Sequence, residues 1–245
     1  MTLALKDQRV IITGAAQGLG AAIARRFAEQ GARLVLLDYN AEGLAETVKI
    51  CGSGATAFQV DLSDRAQTDG AIAKALAELG HVDTLVHNAA ILDRRLFADE
   101  DFASFFKTVN VGLQAGFQLS HAVWPGMVAA GGGAIIYVSS RSGIIGFEEE
   151  AAYCASKHAL EGLAKSLALE GAAQGITANT VTPGMYMRTP MSNRNYNDEL
   201  KAKWVDPIML TSAFVAIAEK SPVVQSGDRI DAWALSQQID TVKHA

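Results

Sequence analysis

Tyr153 and Lys157 stand four residues apart in the stretch AAYCASKHAL, residues 151–160. Its small residues, its closing Leu and its lack of Gly or Pro read as the start of a helix. A spacing of four then sets both side chains on one helical face. A phenol beside a fixed ammonium can release and recover a proton, because the cation favours the ionised phenol. The same spacing also fits an ordinary surface pair, and the rest of the chain decides between the two.

A second chemical feature lies near the N-terminus. TGAAQGLG carries Gly14, Gly18 and Gly20 directly after the apolar run QRVIITG, residues 8–14. Glycines permit a tight turn and let backbone N–H groups approach a pyrophosphate, while a helix starting near Gly18 aims its positive end at the same place. The spacing is G-x-x-x-G-x-G, not the better-known G-x-G-x-x-G. Eighteen residues past Gly20, the run RLVLLD ends at Asp38. A carboxylate there can accept hydrogen bonds from a ribose diol and repels a 2′-phosphate. Gln17 and Tyr39 offer no cation to receive such a phosphate, so NAD is favoured over NADP as cofactor.

These groups need a frame. Six short runs rich in Val, Ile and Leu, at 8–14, 33–38, 56–61, 83–90, 133–140 and 176–183, read as strands buried on both faces. Helical patterns fill the intervals: Leu19, Ile23 and Phe27 form one apolar stripe, and 41–51, 64–80, 101–130 and 151–174 supply the others. Strand alternating with helix predicts an α/β fold with a doubly wound parallel sheet. Without a repeat or linker, residues 1–245 read as one domain. The polar and aromatic segment near 185–205 has no strand signal and reads as a substrate loop or lid. An apolar helix pattern follows around 207–219.

Composition narrows the partners. The chain has 245 residues, 49% of them hydrophobic, and a net charge of −5. No basic run or patch is present, which argues against nucleic acid and anionic membranes as partners. Cys51 and Cys154 fit neither a metal spacing nor a disulfide framework, so no metal is expected and a reducing, cytoplasmic setting is. MTLALKDQRV has no long apolar core of a signal peptide, and no window of 18 apolar residues marks a membrane span.

Taken in order, TGAAQGLG, Asp38, VDL (60–62), HNAA (87–90), Asn110, YVSS (137–140), YCASK (153–157) and TPG (182–184) resemble the short-chain dehydrogenase/reductase family. The resemblance implies a Rossmann-type domain and an NAD-dependent alcohol dehydrogenase or ketone reductase acting on a small molecule. It maps a catalytic tetrad onto Asn110, Ser140, Tyr153 and Lys157; Ser140 rather than Ser139 matches, lying thirteen before the tyrosine. It implies cofactor contacts from Gly14, Gln17, Gly18, Leu19, Gly20 and Asp38. Asp61 would meet the adenine amine, Leu62 would flank its ring, and Asn88 and Ala89 would line the adenosine side. Tyr153, Lys157, Pro183, Gly184 and Thr189 would lie at the nicotinamide end. In this picture Tyr153 protonates the alkoxide, Lys157 tunes it, Ser140 steadies the substrate oxygen and Asn110 holds a water that relays protons to Lys157. A homo-oligomer, tetramer or dimer, is also implied.

The chain departs from the family pattern at several points. His87 replaces the usual Asn, Ala90 stands where Gly is frequent, and Thr189 comes one residue late. GDRIDAWALS (227–236) partly resembles the family's last strand but lacks the usual Asp-Gly-Gly turn. Glu148, Glu149 and Glu150 precede the tyrosine helix and read as first-turn acids that favour its positive end. The alternative is that one of them, with Arg141, His87, Arg94 or Arg188, faces substrate. Two rival functions remain: a non-catalytic NAD(H)-binding regulator, and an epimerase, for which the chain has no room for a larger substrate domain.

Overall fold

Alternate residues of each strand face opposite sides of one sheet, and this sorts the core. Val10, Ile12, Leu34, Leu36, Ile136 and Val181 pack in one buried cluster, while Ile11, Val35, Leu37, Leu85, Ile135 and Ala178 pack in the other. The structure is a computed structural model and describes residues 3–243, so the first two residues of the stretch read for a leader lie outside it.

The strands are β1 (Arg9–Thr13), β2 (Arg33–Asp38), β3 (Ala55–Gln59), β4 (Thr84–His87), β5 (Gly133–Val138), β6 (Ile176–Thr182) and β7 (Arg229–Asp231). All pairings are parallel, in the order β3-β2-β1-β4-β5-β6-β7. The first half therefore winds outward from β1 and the second half outward from β4. The crevice between the carboxyl ends of β1 and β4 is the switch point, where ligands of such sheets bind.

On one face lie α1 (Gly18–Glu29), α2 (Ala41–Cys51), α9 (Thr211–Ala218) and α10 (Ala232–Lys243). Leu19, Ile23 and Phe27 of α1 are buried there against Phe214 and Ile217. The other face is covered by α3 (Arg65–Leu79), α5 (Ala115–Ala129) and α6 (Ala151–Gly171), through residues such as Ile72, Leu119 and Leu160. Asn40 and Asp64 accept backbone N–H bonds at the starts of α2 and α3.

The structure differs from the sequence reading in three places. The expected helix 101–130 is two helices, α4 (Phe102–Val109) and α5, joined by a π turn over Asn110–Gln114. The pattern of apolar residues continues through the turn, so periodicity alone gave no sign of it. A seventh strand, β7, adds to the six expected from apolar runs and forms in the GDRID segment that partly resembles the family's last strand. The three acids are not in the first turn of α6, which begins at Ala151; they form the approach to it, with Glu149 at φ 63° and Glu150 at the N-cap.

The segment near 185–205 holds two short helices, α7 (Pro190–Asn195) and α8 (Asp198–Lys201). Its ends are tied together by a bridge between Met187 and Val205. Asn195 Nδ2 also donates to the Leu92 carbonyl at 3.3 Å, which pins the excursion over the carboxyl edge of the sheet.

Candidate active site

The glycine turn after β1 is shaped by contacts that no side chain could share. Gly14 and Gly18 have φ of 64° and 57°, the left-handed region. A Cβ on Gly20 would lie 2.0 Å from the Gly14 carbonyl oxygen. Asn88 closes the turn, its Nδ2 donating to the carbonyls of Thr13 at 3.2 Å and Gly14 at 3.0 Å. Asn88 N–H and Ala89 N–H both donate to the Thr13 hydroxyl. Gln17 caps α1 in extended conformation with no side-chain hydrogen bond, so the first-turn N–H groups of the helix face the crevice. Leu19 points the other way, into the core, and has only its backbone N–H to offer.

Asp38 ends β2 beside this turn. Its Oδ2 accepts from Ala16 N–H and its Oδ1 from Asn40 N–H, each at 3.0 Å, so the carboxylate is fixed rather than free to swing. Asp61 accepts from the backbone N–H and hydroxyl of Ser63, and Leu62 is buried in the core. Thr189 lies on the opposite wall: a Cβ on Gly18 would sit 3.2 Å from its Cβ. Its hydroxyl caps α7, accepting from Ser192 N–H at 3.1 Å. Pro183 is held through its carbonyl by Trp233 N–H, and Gly184, at φ 73°, leaves room that the Asp231 carboxylate fills.

The features fit a nicotinamide dinucleotide. An open helix N-terminus, a turn that excludes side chains and a fixed carboxylate at the end of β2 suit a pyrophosphate and a ribose diol. Among the described residues, no group of three or more His, Cys, Asp or Glu side chains is placed to hold a metal ion. No helix there is long and apolar enough to cross a membrane.

Ser140, Tyr153 and Lys157 converge at the carboxyl edge of β5. Lys157 is 1% exposed, and its Nζ donates to the Val138 carbonyl at 2.6 Å. The same Nζ lies 5.4 Å from the centre of the Tyr153 ring. Burial pulls the ammonium down to about 8, while the Glu161 carboxylate one turn along α6 opposes that pull. Tyr153 moves the other way. Burial raises its phenol above the ordinary value, a hydrogen bond with Ser140 lowers it, and the Glu150 charge raises it again. The chain's own groups therefore keep Tyr153 protonated, which suits a proton donor.

Asn110 opens the π turn, and its Nδ2 donates to the Ser63 carbonyl at 3.2 Å. That bond ties the turn to the segment carrying Asp61. Such turns insert one residue into a helix and redirect its side chains and carbonyls.

Of the groups around this centre, the sequence offers Glu150 and Arg94 as alternatives facing substrate, but not Ser142, Glu161 or Arg229. Ser142 donates to Glu150 at 2.8 Å and lies 3.3 Å from the Ser140 hydroxyl, so a short polar chain leads away from Ser140. Arg94 approaches Glu149 and Glu150 at 3.3 and 3.9 Å. Glu150 is thus the acid of the three that faces the centre, its side chain 13% exposed. Tyr196 and Tyr186 from the 185–205 segment pack edge to face, 5.5 Å apart. On the far side, Glu161 accepts from Ser139, Thr180 and Arg229, and Arg229 also donates to the Ser140 carbonyl. This buried network fixes the backbone of the Ser140 turn from below. Glu161 reads in sequence as one more helix acid, and only the tertiary fold brings Arg229 to it.

Comparison with known proteins shows what the whole chain resembles. The family model for short chain dehydrogenase matches residues 8–200. The 2,5-dichloro-2,5-cyclohexadiene-1,4-diol dehydrogenase LinX of Sphingobium indicum is 35% identical over 225 residues, covering 87% of this chain and 90% of that protein. The L-xylulose reductase of Mus musculus is 36% identical over 204 residues, covering 83% and 81%. Among solved structures, one assigned as an NAD(P)-dependent gluconate 5-dehydrogenase from Beutenbergia cavernae superimposes with a TM-score of 0.86 at 28% identity, covering 96% of this chain and all of that one. It holds NADP at low occupancy.

Proposed function

We propose that this chain, which belongs to the short-chain dehydrogenase family, interconverts a secondary alcohol and a ketone with NAD(H), using Tyr153 as the proton donor and acceptor. The observation that carries this reading is the buried Lys157 ammonium 5.4 Å from the ring of a Tyr153 held at the sheet edge beside Ser140. A nicotinamide dinucleotide in the glycine-turn cradle supplies the hydride donor or acceptor and, when oxidised, a positive charge near the phenol.

The remaining roles belong to the chain's own residues. The Ser140 hydroxyl donates to the substrate oxygen and steadies charge that develops on it. Tyr153 gives its proton to that oxygen during reduction and takes it back during oxidation. Lys157 lowers the cost of the phenolate, and Asn110 fixes the route by which a proton returns from solvent. A hydroxylated substrate, a diol or sugar alcohol, suits the Ser142, Glu150 and Arg94 groups that border the centre. The substrates in the names of LinX and L-xylulose reductase point the same way. The exposed, stacked rings of Phe102 and Phe106 on α4 form a face that a second copy would cover in a dimer or tetramer.

The choice of NAD rests on Asp38, whose fixed carboxylate would meet a 2′-phosphate with like charge. Steady-state kinetics with both cofactors test it. Wild-type protein is expected to prefer NAD, and Asp38→Ala to erode that preference by about tenfold or more, the equivalent of roughly 1.4 kcal/mol. A wild-type enzyme that prefers NADP would refute the assignment.

A further inference from the structure

His87, at the end of β4, has no assigned role, yet it sits in a niche shaped to its ring. The residue is 1% exposed. Its Nε2 lies 2.8 Å from the Gly112 carbonyl oxygen, which can only accept. Nε2 therefore carries the proton, and Nδ1 accepts from the Thr13 hydroxyl at 3.0 Å. That hydroxyl in turn accepts from Asn88 N–H and Ala89 N–H at 3.0 and 3.1 Å. One directed chain of hydrogen bonds thus runs from the turn beside the glycine loop, through Thr13 and His87, to the middle of the π turn.

The neighbours of the ring fit this arrangement. Gly116 leaves the space it needs, since a Cβ there would lie 3.0 Å from His87 Cδ2. Tyr137 meets the ring edge to face at 6.3 Å. From the other side α6 presses on the same turn: a Cβ on Gly112 would lie 2.1 Å from Ser156 Oγ. Within the turn, Ala115 N–H bonds back to the Asn110 carbonyl, as the five-residue spacing requires. The Gly112 carbonyl, in the middle of the turn, accepts from His87 Nε2.

We infer that His87 is a positioning residue, which clamps the π turn through the Gly112 carbonyl and so sets the place of Asn110 relative to the cofactor turn. This inference rests on the proposed reading, in which Asn110 serves the proton path. Burial, assisted by the Lys157 charge, pulls the imidazole down to about 4. The ring is therefore neutral near pH 7, with one nitrogen to donate and one to accept. Thr13, Gly112 and Tyr137 face it, and Lys157 is the charged group that acts on it.

The experiment uses the full chain and compares His87→Phe, His87→Gln and Asn110→Ala. Phe keeps a ring of similar size but makes neither hydrogen bond. Gln keeps an N–H that can reach Gly112. We expect His87→Phe to lower kcat by about 10- to 100-fold, the scale of a displaced catalytic group, with NADH affinity within about threefold. His87→Gln is expected to recover most of the loss. The double variant Asn110→Ala/His87→Phe is expected to be no slower than Asn110→Ala, since residues acting through one another are not additive. If His87→Phe does not fold, His87→Asn, too short to span to Gly112, takes its place in the cycle.

Losses that add, or a His87 variant that melts earlier but turns over at the wild-type rate below its melting point, would overturn the inference and leave the proposed function standing. Full turnover in Asn110→Ala would instead overturn the reading of Asn110, and this inference with it.

Discussion

Tyr153→Phe is expected to lower kcat by about 10²–10⁴-fold, the range that a positioned general acid or base contributes, with NADH binding nearly unchanged. The substitution removes one oxygen and leaves the ring. Its effect on packing should be small, because the ring keeps its neighbours on α6 and beside Lys157. What is lost is the hydroxyl that burial and Glu150 keep protonated beside Ser140. Neither Ser140 nor Lys157 replaces it. The serine is too weak an acid to give the proton, and Nζ is held back beside the Tyr153 ring by its bond to the Val138 carbonyl. Stopped-flow NADH binding and steady-state turnover on the same preparation separate the two effects. A variant that keeps most of its activity would mean the proton comes from elsewhere and would end the proposed mechanism.

The second large effect is expected from Lys157→Met, a change that keeps most of the side-chain length and removes the charge. A cation within a few ångströms typically lowers a neighbouring acid's pKa by about 1–3 units. Without it the phenolate becomes harder to form. Alcohol oxidation should fall by about 10–10³-fold at neutral pH, on that same scale. The direction with pH is a stricter test. Oxidation needs the phenolate, so its rate rises with pH through the Tyr153 titration. Removing the cation raises that titration, and the acid limb of the profile should move to higher pH. The buried Val138 carbonyl loses its donor in this variant, so thermal melting serves as the control for stability. An acid limb that stays in place would show that Lys157 does not tune Tyr153.

Much of the frame was legible from residue types alone. Runs such as RVIIT and RLVLLD are apolar on both faces because both faces of a parallel sheet are covered, and all six expected strands form. Gly14 and Gly18 mark the turn because its backbone enters the left-handed region, and Asp38 follows at the end of the next strand. The spacing of Tyr153 and Lys157 carried their common face directly, since α6 is regular there.

What the sequence hid has physical reasons too. A π turn needs one extra residue in a helix whose apolar pattern continues, and Asn110 and Gly112, each only mildly unfavourable in a helix, do not set its five-residue spacing. The bonds of Glu161 to Arg229 and of His87 to Gly112 join residues 68 and 25 positions apart, so only the tertiary fold sets them. Glu149 takes a left-handed φ that residue type does not favour, in the approach to α6 from which Glu150 faces inward. Thr189 lies against Gly18 despite its late position, and its hydroxyl caps the short helix α7.

The central claim is hydride exchange between a carbinol carbon and a nicotinamide, with this chain as catalyst. The direct measurement is isotope transfer. The full-length protein is incubated with NAD and a panel of sugar alcohols and cyclic diols deuterated at the carbinol carbon, and the recovered dinucleotide is analysed by mass spectrometry. The account predicts one deuterium per reduced cofactor from at least one alcohol with wild-type protein, and none above background with Tyr153→Phe. A protein that binds NADH tightly yet moves no deuterium from any alcohol of the panel would contradict it and would mark the chain as a cofactor-binding protein without this chemistry.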